Sequence, residues 1–207
     1  MRDKIYKEFR DPTKKFYEVE HRAFCYDVAT SFIMKARRKA KGKWLTHDST
    51  VKGILLLLFA WNSAARVTKK LSPDKLKKAI GKVKSELGSI EAKKITDEME
   101  ASDWKKIEKI FDAFRKECGQ TGASKALSLL NPGLFVMWDT GIREELRGTH
   151  IYGIGNGEDG KKYVRFLKGV QRIIRDNDLV SRLPKGSNIA KKFDEYNYVR
   201  IVKKKKI

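Results

Sequence analysis

The stretch ECGQTGASKALSLLNPGLFVMWDTGIREEL, Glu117 to Leu146, decides the fold. It reads as the end of one helix, a tight turn from Gly119 to Gly122, and a helix from Ala123 to Leu130 that Asn131-Pro132-Gly133 stops. An apolar connector, Leu134 to Trp138, runs into Asp139, and a further helix is expected from Thr140 to Arg147. The glycines permit close approach, and a helix begins where the turn ends, so the turn can present backbone N–H groups to a phosphate. Asp139 stands where it would cap the helix that follows, which fixes a carboxylate in place.

On either side the chain is punctuated as helices. From Tyr17 to Lys41 the apolar residues Val19, Ala23, Phe24, Val28, Phe32, Ile33 and Ala36 recur three and four apart, predicting one long helix. His47, Asp48 and Ser49 cap a second, Val51 to Val67, which is apolar nearly all round at Ile54 to Ala60 and is expected at the centre. Ser72-Pro73-Asp74 starts a helix that Gly88 ends, and Ser102-Asp103 is expected to cap another with the stripe Trp104, Ile107, Ile110, Phe111 and Phe114. Beyond a glycine-rich loop, Gly153 to Gly160, a long helix covers about Lys161 to Asn177, and Ser187 or Asn188 caps a last one through Phe193 and Tyr196. Tyr198 to Val202 fits no single period. Nothing alternates strand with helix, so little β structure is expected.

Composition narrows the partners. The 207 residues hold 47 Lys plus Arg against 26 Asp plus Glu, a net charge of +21, while 41% hydrophobic residues remain for an interior. Such a surplus attracts polyanions, nucleic acid above all, although a heat-adapted lysine-rich surface would account for part of it. The longest apolar run, Ile54 to Trp61, is less than half of what a bilayer-spanning helix needs, and the first residues lack an export core. The expectation is an intracellular protein without membrane attachment, cytoplasmic or nucleoid-associated. Cys25 and Cys118 have no His or Cys neighbour at ligand spacing, and His21, His47 and His150 suggest neither a metal site nor a triad. The Gly153–Gly160 loop lacks the strand and the Gly-Lys-Ser/Thr ending of a nucleotide loop. No metal and no cofactor are expected.

The segment from the Gly119–Gly122 turn to Trp138-Asp139-Thr140-Gly141-Ile142 resembles the helix-hairpin-helix DNA glycosylases, whose hairpin usually reads Leu-Pro-Gly-x-Gly and whose catalytic Asp lies in Val-Asp-Thr-His-Ile or Ile-Asp-Arg-His-Ile. Here Glu117-Cys118-Gly119 departs from the usual hairpin. The segment Phe59-Ala60-Trp61-Asn62-Ser63-Ala64-Ala65-Arg66-Val67 is similar to the Asn-rich helix end of the 8-oxoguanine glycosylases, in which an Asn and an Arg face the cytosine left behind by the flipped base. The resemblance covers roughly residues 50 to 147. The residues themselves predict an all-α bundle of about eight helices, one unit over 1–207 with a basic tail at 203–207, and the resemblance implies a two-lobed arrangement with a helix-hairpin-helix motif. It also implies a monomer acting on lesion-containing double-stranded DNA in base excision repair.

By that resemblance Asp139 is the catalytic carboxylate, stabilising the positive charge that develops on the sugar as the N-glycosidic bond breaks. Bifunctional members place a nucleophilic Lys about eighteen residues earlier, which here is Thr121. Two alternatives follow: the chain is monofunctional, or Lys125, one turn along the same helical face, supplies the amine. Asn62, Arg66, Gly119, Gln120, Thr121, Gly122, Ser124 and Arg143 are the expected DNA contacts, and Trp61 and Trp138 the aromatic surfaces for a flipped base. Each also has a plain reading, as a helix cap, a solvated cation or a core ring. A non-catalytic nucleic-acid-binding module of the same fold is the rival from another class.

Overall fold

A computed structural model describes residues 4–61, 71–146 and 159–207, and among them every regular element is helical. In chain order these are α1 (Lys4–Lys7), α2 (Thr13–Val19), α3 (Ala23–Lys39), a 3-10 turn (Trp44–Thr46), α4 (Asp48–Trp61), α5 (Pro73–Lys82), α6 (Lys84–Ser89), α7 (Ala101–Leu130), α8 (Thr140–Leu146), α9 (Asp159–Asp176), α10 (Ile189–Asn197) and a π turn (Tyr198–Val202).

Local chemistry sets several of the boundaries. Ser72 accepts a hydrogen bond from Lys75 N and Pro73 opens α5 with its φ already helical. Asn188 caps α10 by accepting from Lys191 N. The cap lies two residues before the expected Ser102-Asp103: Glu100 is the cap of α7, and the Asp103 carboxylate accepts from the Glu100 N–H, a reciprocal box worth about 1 kcal/mol. The helix expected over Tyr17 to Lys41 is two. Glu20 turns its carboxylate onto Arg22 N at 2.9 Å, and this side-chain competition for the backbone breaks the helix between Val19 and Ala23.

The turn expected at Gly119 to Gly122 is confined to Gly119. Its φ of 71° and ψ of 172° bend α7 into two helical segments, and the second begins at Gln120 rather than Ala123. That backbone conformation belongs almost wholly to glycine.

The core forms around α7. Trp104, Ile107, Ile110, Phe111 and Phe114 are buried along its first segment, and α9 packs there with Tyr163, Phe166, Leu167 and Val170. Phe111 stacks on Tyr163 with ring centroids 4.2 Å apart, and the Trp138 ring sits 5.7 Å from Tyr163 and 6.0 Å from Phe166. Pairs of this kind add about 1 kcal/mol each beyond their burial. On the other side α3 and α4 pack closely, because Gly53 lets the helices approach: a Cβ there would lie 2.8 Å from the Ala29 carbonyl oxygen. α4 is buried along one side only, with Phe59 exposed, so the all-round apolar run is not buried all round. Tyr6 donates to Asn197 Oδ1 at 2.9 Å, which joins the first helices to the last.

Among the described residues no helix is long and apolar enough to cross a membrane.

Candidate active site

Lys125 lies in the second segment of α7, where helical side chains lean toward the amino terminus. Its Nζ reaches the backbone carbonyl of Trp61, the last residue of α4, at 2.6 Å. Lys125 is only 8% exposed. Burial pulls its amine below the ordinary lysine value; Asp139 and Asp194 oppose that pull and Arg22 adds to it.

Asp139 ends the apolar connector that the aromatic core holds in place. Its Oδ1 accepts from Ile142 N at 3.0 Å and its carbonyl accepts from Arg143 N at 2.9 Å, so it caps α8 as its position implied. Lys125 and Asp139 line one narrow cleft with Phe16, Glu20, Arg22, Trp61, Met137, Ile142, Asp194 and Tyr198, and its free interior is about 50 Å³. That is room for a few waters.

The walls come from both halves of the chain. Glu20, 5% exposed, accepts from Arg22 N, from Arg22 Nε at 3.0 Å and from the Tyr198 hydroxyl. Burial works against ionising Glu20, yet the bonds from Arg22 and Tyr198 outweigh it and hold its carboxyl below the usual glutamate value. Arg22 Nη1 donates to the Ala60 carbonyl at 2.8 Å, and Trp61 Nε1 donates back to the Arg22 carbonyl at 3.1 Å. The turn between α2 and α3 therefore pins the end of α4, which in turn holds Lys125. Trp61 also stacks on Tyr26, 5.9 Å between centroids, and meets Phe16 edge-on.

Trp61 and Asp139 are shared with a larger groove of about 490 Å³, bordered by Cys118, Gly119, Gln120, Thr121, Gly122, Thr140, Gly141, Arg143 and Val202. Arg143 straps its rim: Nη1 donates to Thr121 Oγ1 at 3.2 Å and to the Trp138 carbonyl at 2.8 Å, and Nη2 to Thr140 Oγ1 at 2.8 Å.

Most of the residues expected at a site thus meet: Lys125, Asp139 and Trp61 in the cleft, and Gly119, Gln120, Thr121, Gly122 and Arg143 along the groove. Two do not. The Trp138 ring is 2% exposed within the Phe111, Tyr163 and Phe166 cluster, so it is a core ring and no base-receiving surface. Ser124 is fully buried, its hydroxyl donating to the Thr121 carbonyl and accepting from Trp138 N, so it ties the connector to α7 and does not face a ligand. Asn62 and Arg66 lie outside the described residues.

Glu20, Arg22, Asp194 and Tyr198 were not expected at the site. One signal for Asp194 is legible: it follows Phe193 and lies four residues after Ala190, on the side of α10 that is buried. Among the described residues no cluster of His, Cys, Asp and Glu is placed to hold a metal ion. Comparison of the chain with family models, curated proteins and solved structures finds no match, and the chemistry of the cleft therefore rests on its own residues.

Proposed function

We propose that the protein is a DNA glycosylase of the helix-hairpin-helix kind, cleaving the N-glycosidic bond of a damaged base in double-stranded DNA. The observation that carries this reading is the placing of a buried Lys125 amine and the Asp139 carboxylate in one cleft that shares Trp61 and Asp139 with a groove bordered by Gly119–Gly122. The cap bond from Ile142 N holds the Asp139 carboxylate in a fixed place, where it stabilises the charge on the sugar. Lys125, its amine eased toward the neutral form by burial, attacks C1′ and gives the enzyme an abasic-site lyase activity as well. The kinked start of the second segment of α7 grips a phosphate through its first N–H groups, the role of the hairpin. The two-lobed arrangement, the oxidised-purine preference drawn from Asn62 and Arg66, and action as a monomer inside the cell belong to the same reading.

A second reading, a nucleic-acid-binding module without catalysis, has one observation in its favour. The cleft holds about 50 Å³, so a sugar enters it only if Trp61 or its neighbours move.

Duplexes carrying single lesions separate the two. Release of a free base that is lost in Asp139→Asn, with a borohydride-trapped adduct lost in Lys125→Ala, is the outcome of the enzymatic reading. Binding that falls steeply with salt, with no lesion preference and no base release, is the outcome of the other.

A further inference from the structure

Asp194 is 7% exposed, on the inner side of α10, and lines the cleft beside Lys125 and Asp139. Among the described residues no donor hydrogen-bonds its carboxylate. The charged and titratable groups around it come from every neighbouring element: Lys191 and Glu195 on α10, Glu20 at the end of α2, Arg22 and Tyr26 at α3, Lys125 on α7, Asp139 before α8, and Tyr198 in the π turn.

The nearby cations differ in their commitments. Lys191 lies over the Tyr26 ring at 3.9 Å and pairs with Glu195 at 3.4 Å, and Arg22 pairs with Glu20 at 3.0 Å. Lys125 donates to a neutral carbonyl, which leaves its charge without a carboxylate bonded to it. A carboxylate and an ammonium buried in one cleft each lose their hydration, and moving one proton from nitrogen to oxygen abolishes both charges at once. The shifts run in the direction that transfer requires. Burial pushes the Asp194 carboxyl up to about 7, and burial pulls Lys125 down.

We infer that Asp194 is the proton partner of Lys125: it takes the proton that frees the Lys125 lone pair and gives it to the group leaving C1′. The inference rests on the reading of Lys125 as a nucleophile. In the step itself the Lys125 Nζ–C1′ bond forms and the bond from C1′ to the leaving group breaks. The electron pair departs with that group, and the group takes the proton from Asp194. On an abasic sugar in its aldehyde form the amine adds to the carbonyl carbon, a proton passes from nitrogen to oxygen, and the resulting hydroxyl leaves as water with the Asp194 proton. An iminium on Lys125 and an ionised Asp194 beside it remain. No oxidant or co-reactant is needed.

The test is borohydride trapping on a duplex with one natural abasic site, from about pH 5 to about pH 9, with wild type, Asp194→Asn and Lys125→Ala. In wild type the rate is expected to peak near neutrality: it falls below as the pair takes a second proton, and above as Asp194 loses the proton it must donate. Asp194→Asn is expected to trap about 10²-fold more slowly at neutral pH and to lack the alkaline fall. A protein merely loosened by the substitution would keep that fall. A wild-type rate that climbs without a maximum to pH about 9, or an Asn variant that traps like wild type, overturns the inference while leaving Lys125 as nucleophile. Absence of any wild-type adduct overturns the nucleophile and the inference together. The wild-type profile decides the matter even if the variant does not fold.

Discussion

Lys125 Nζ donates to the Trp61 carbonyl, 64 positions away in sequence, at 2.6 Å, and this bond joins the end of α4 to the second segment of α7. A group that can shed its proton fits that place better than one that cannot. Lys125→Arg puts a permanent charge into the cleft and is expected to cost about 2–3 kcal/mol, whereas Lys125→Met, of similar length and without charge, stays within about 1 kcal/mol of wild type. Urea unfolding checks both, and the two variants ranking the other way would refute a desolvated amine.

Asp194 makes stability depend on pH with a definite sign. Its folded value, about 7, lies above that of an exposed aspartate, so the folded state holds an extra proton between about pH 4 and about pH 7. Wild type is therefore expected to lose stability on the order of a few kcal/mol relative to Asp194→Asn as pH rises through that window. Melting temperatures of the pair, measured side by side, should converge in acid and diverge above neutrality with the variant higher.

Glu20 gives the opposite sign. Its carboxyl is held below the ordinary glutamate value, so what it contributes is present above the unfolded glutamate range and fades as pH falls through the folded value. Glu20→Gln is expected to cost about 2 kcal/mol at neutral pH, through the bonds to Arg22 and Tyr198, and to flatten the acid limb of the stability curve. Acid titration of the melting temperature reads this directly.

Two glycines are expected to fail for different reasons. At Gly119 a Cβ meets nothing within 4 Å, so Gly119→Ala pays only for its backbone, about 1–3 kcal/mol. At Gly53 the backbone is helical and the obstacle is steric, 2.8 Å to the Ala29 oxygen and 3.1 Å to Phe32 Cβ, so Gly53→Ala forces α3 and α4 apart at a cost of about 1–3 kcal/mol. Urea midpoints measure both, and amide exchange in α3 should rise for Gly53→Ala and not for Gly119→Ala.

The helices were legible where periodicity and caps agreed, as at Ser72-Pro73 and Asn188, and Asp139 as a cap could be read from its place before Thr140-Gly141-Ile142. The break between α2 and α3 was not, since the apolar spacing runs straight through it and the carboxylate of Glu20 makes the turn. Trp138 misled for a related reason. An aromatic residue next to a candidate carboxylate fits a base pocket or a core equally well in sequence, and only the packing of Phe111, Tyr163 and Phe166 around it separates the two. Asp194 and Glu20 stayed hidden because their neighbours in space, Lys125 and Tyr198, are remote along the chain.

That remoteness has a kinetic side. The cleft takes Glu20 and Arg22 from near one terminus, Trp61 and Lys125 from the middle, and Asp194 and Tyr198 from near the other. Enclosures with such long loops to close are late events in folding. A growing chain still on the ribosome, or one clipped within α10, therefore holds no assembled set of amine and acids, and the cleft exists only once the last helix has docked.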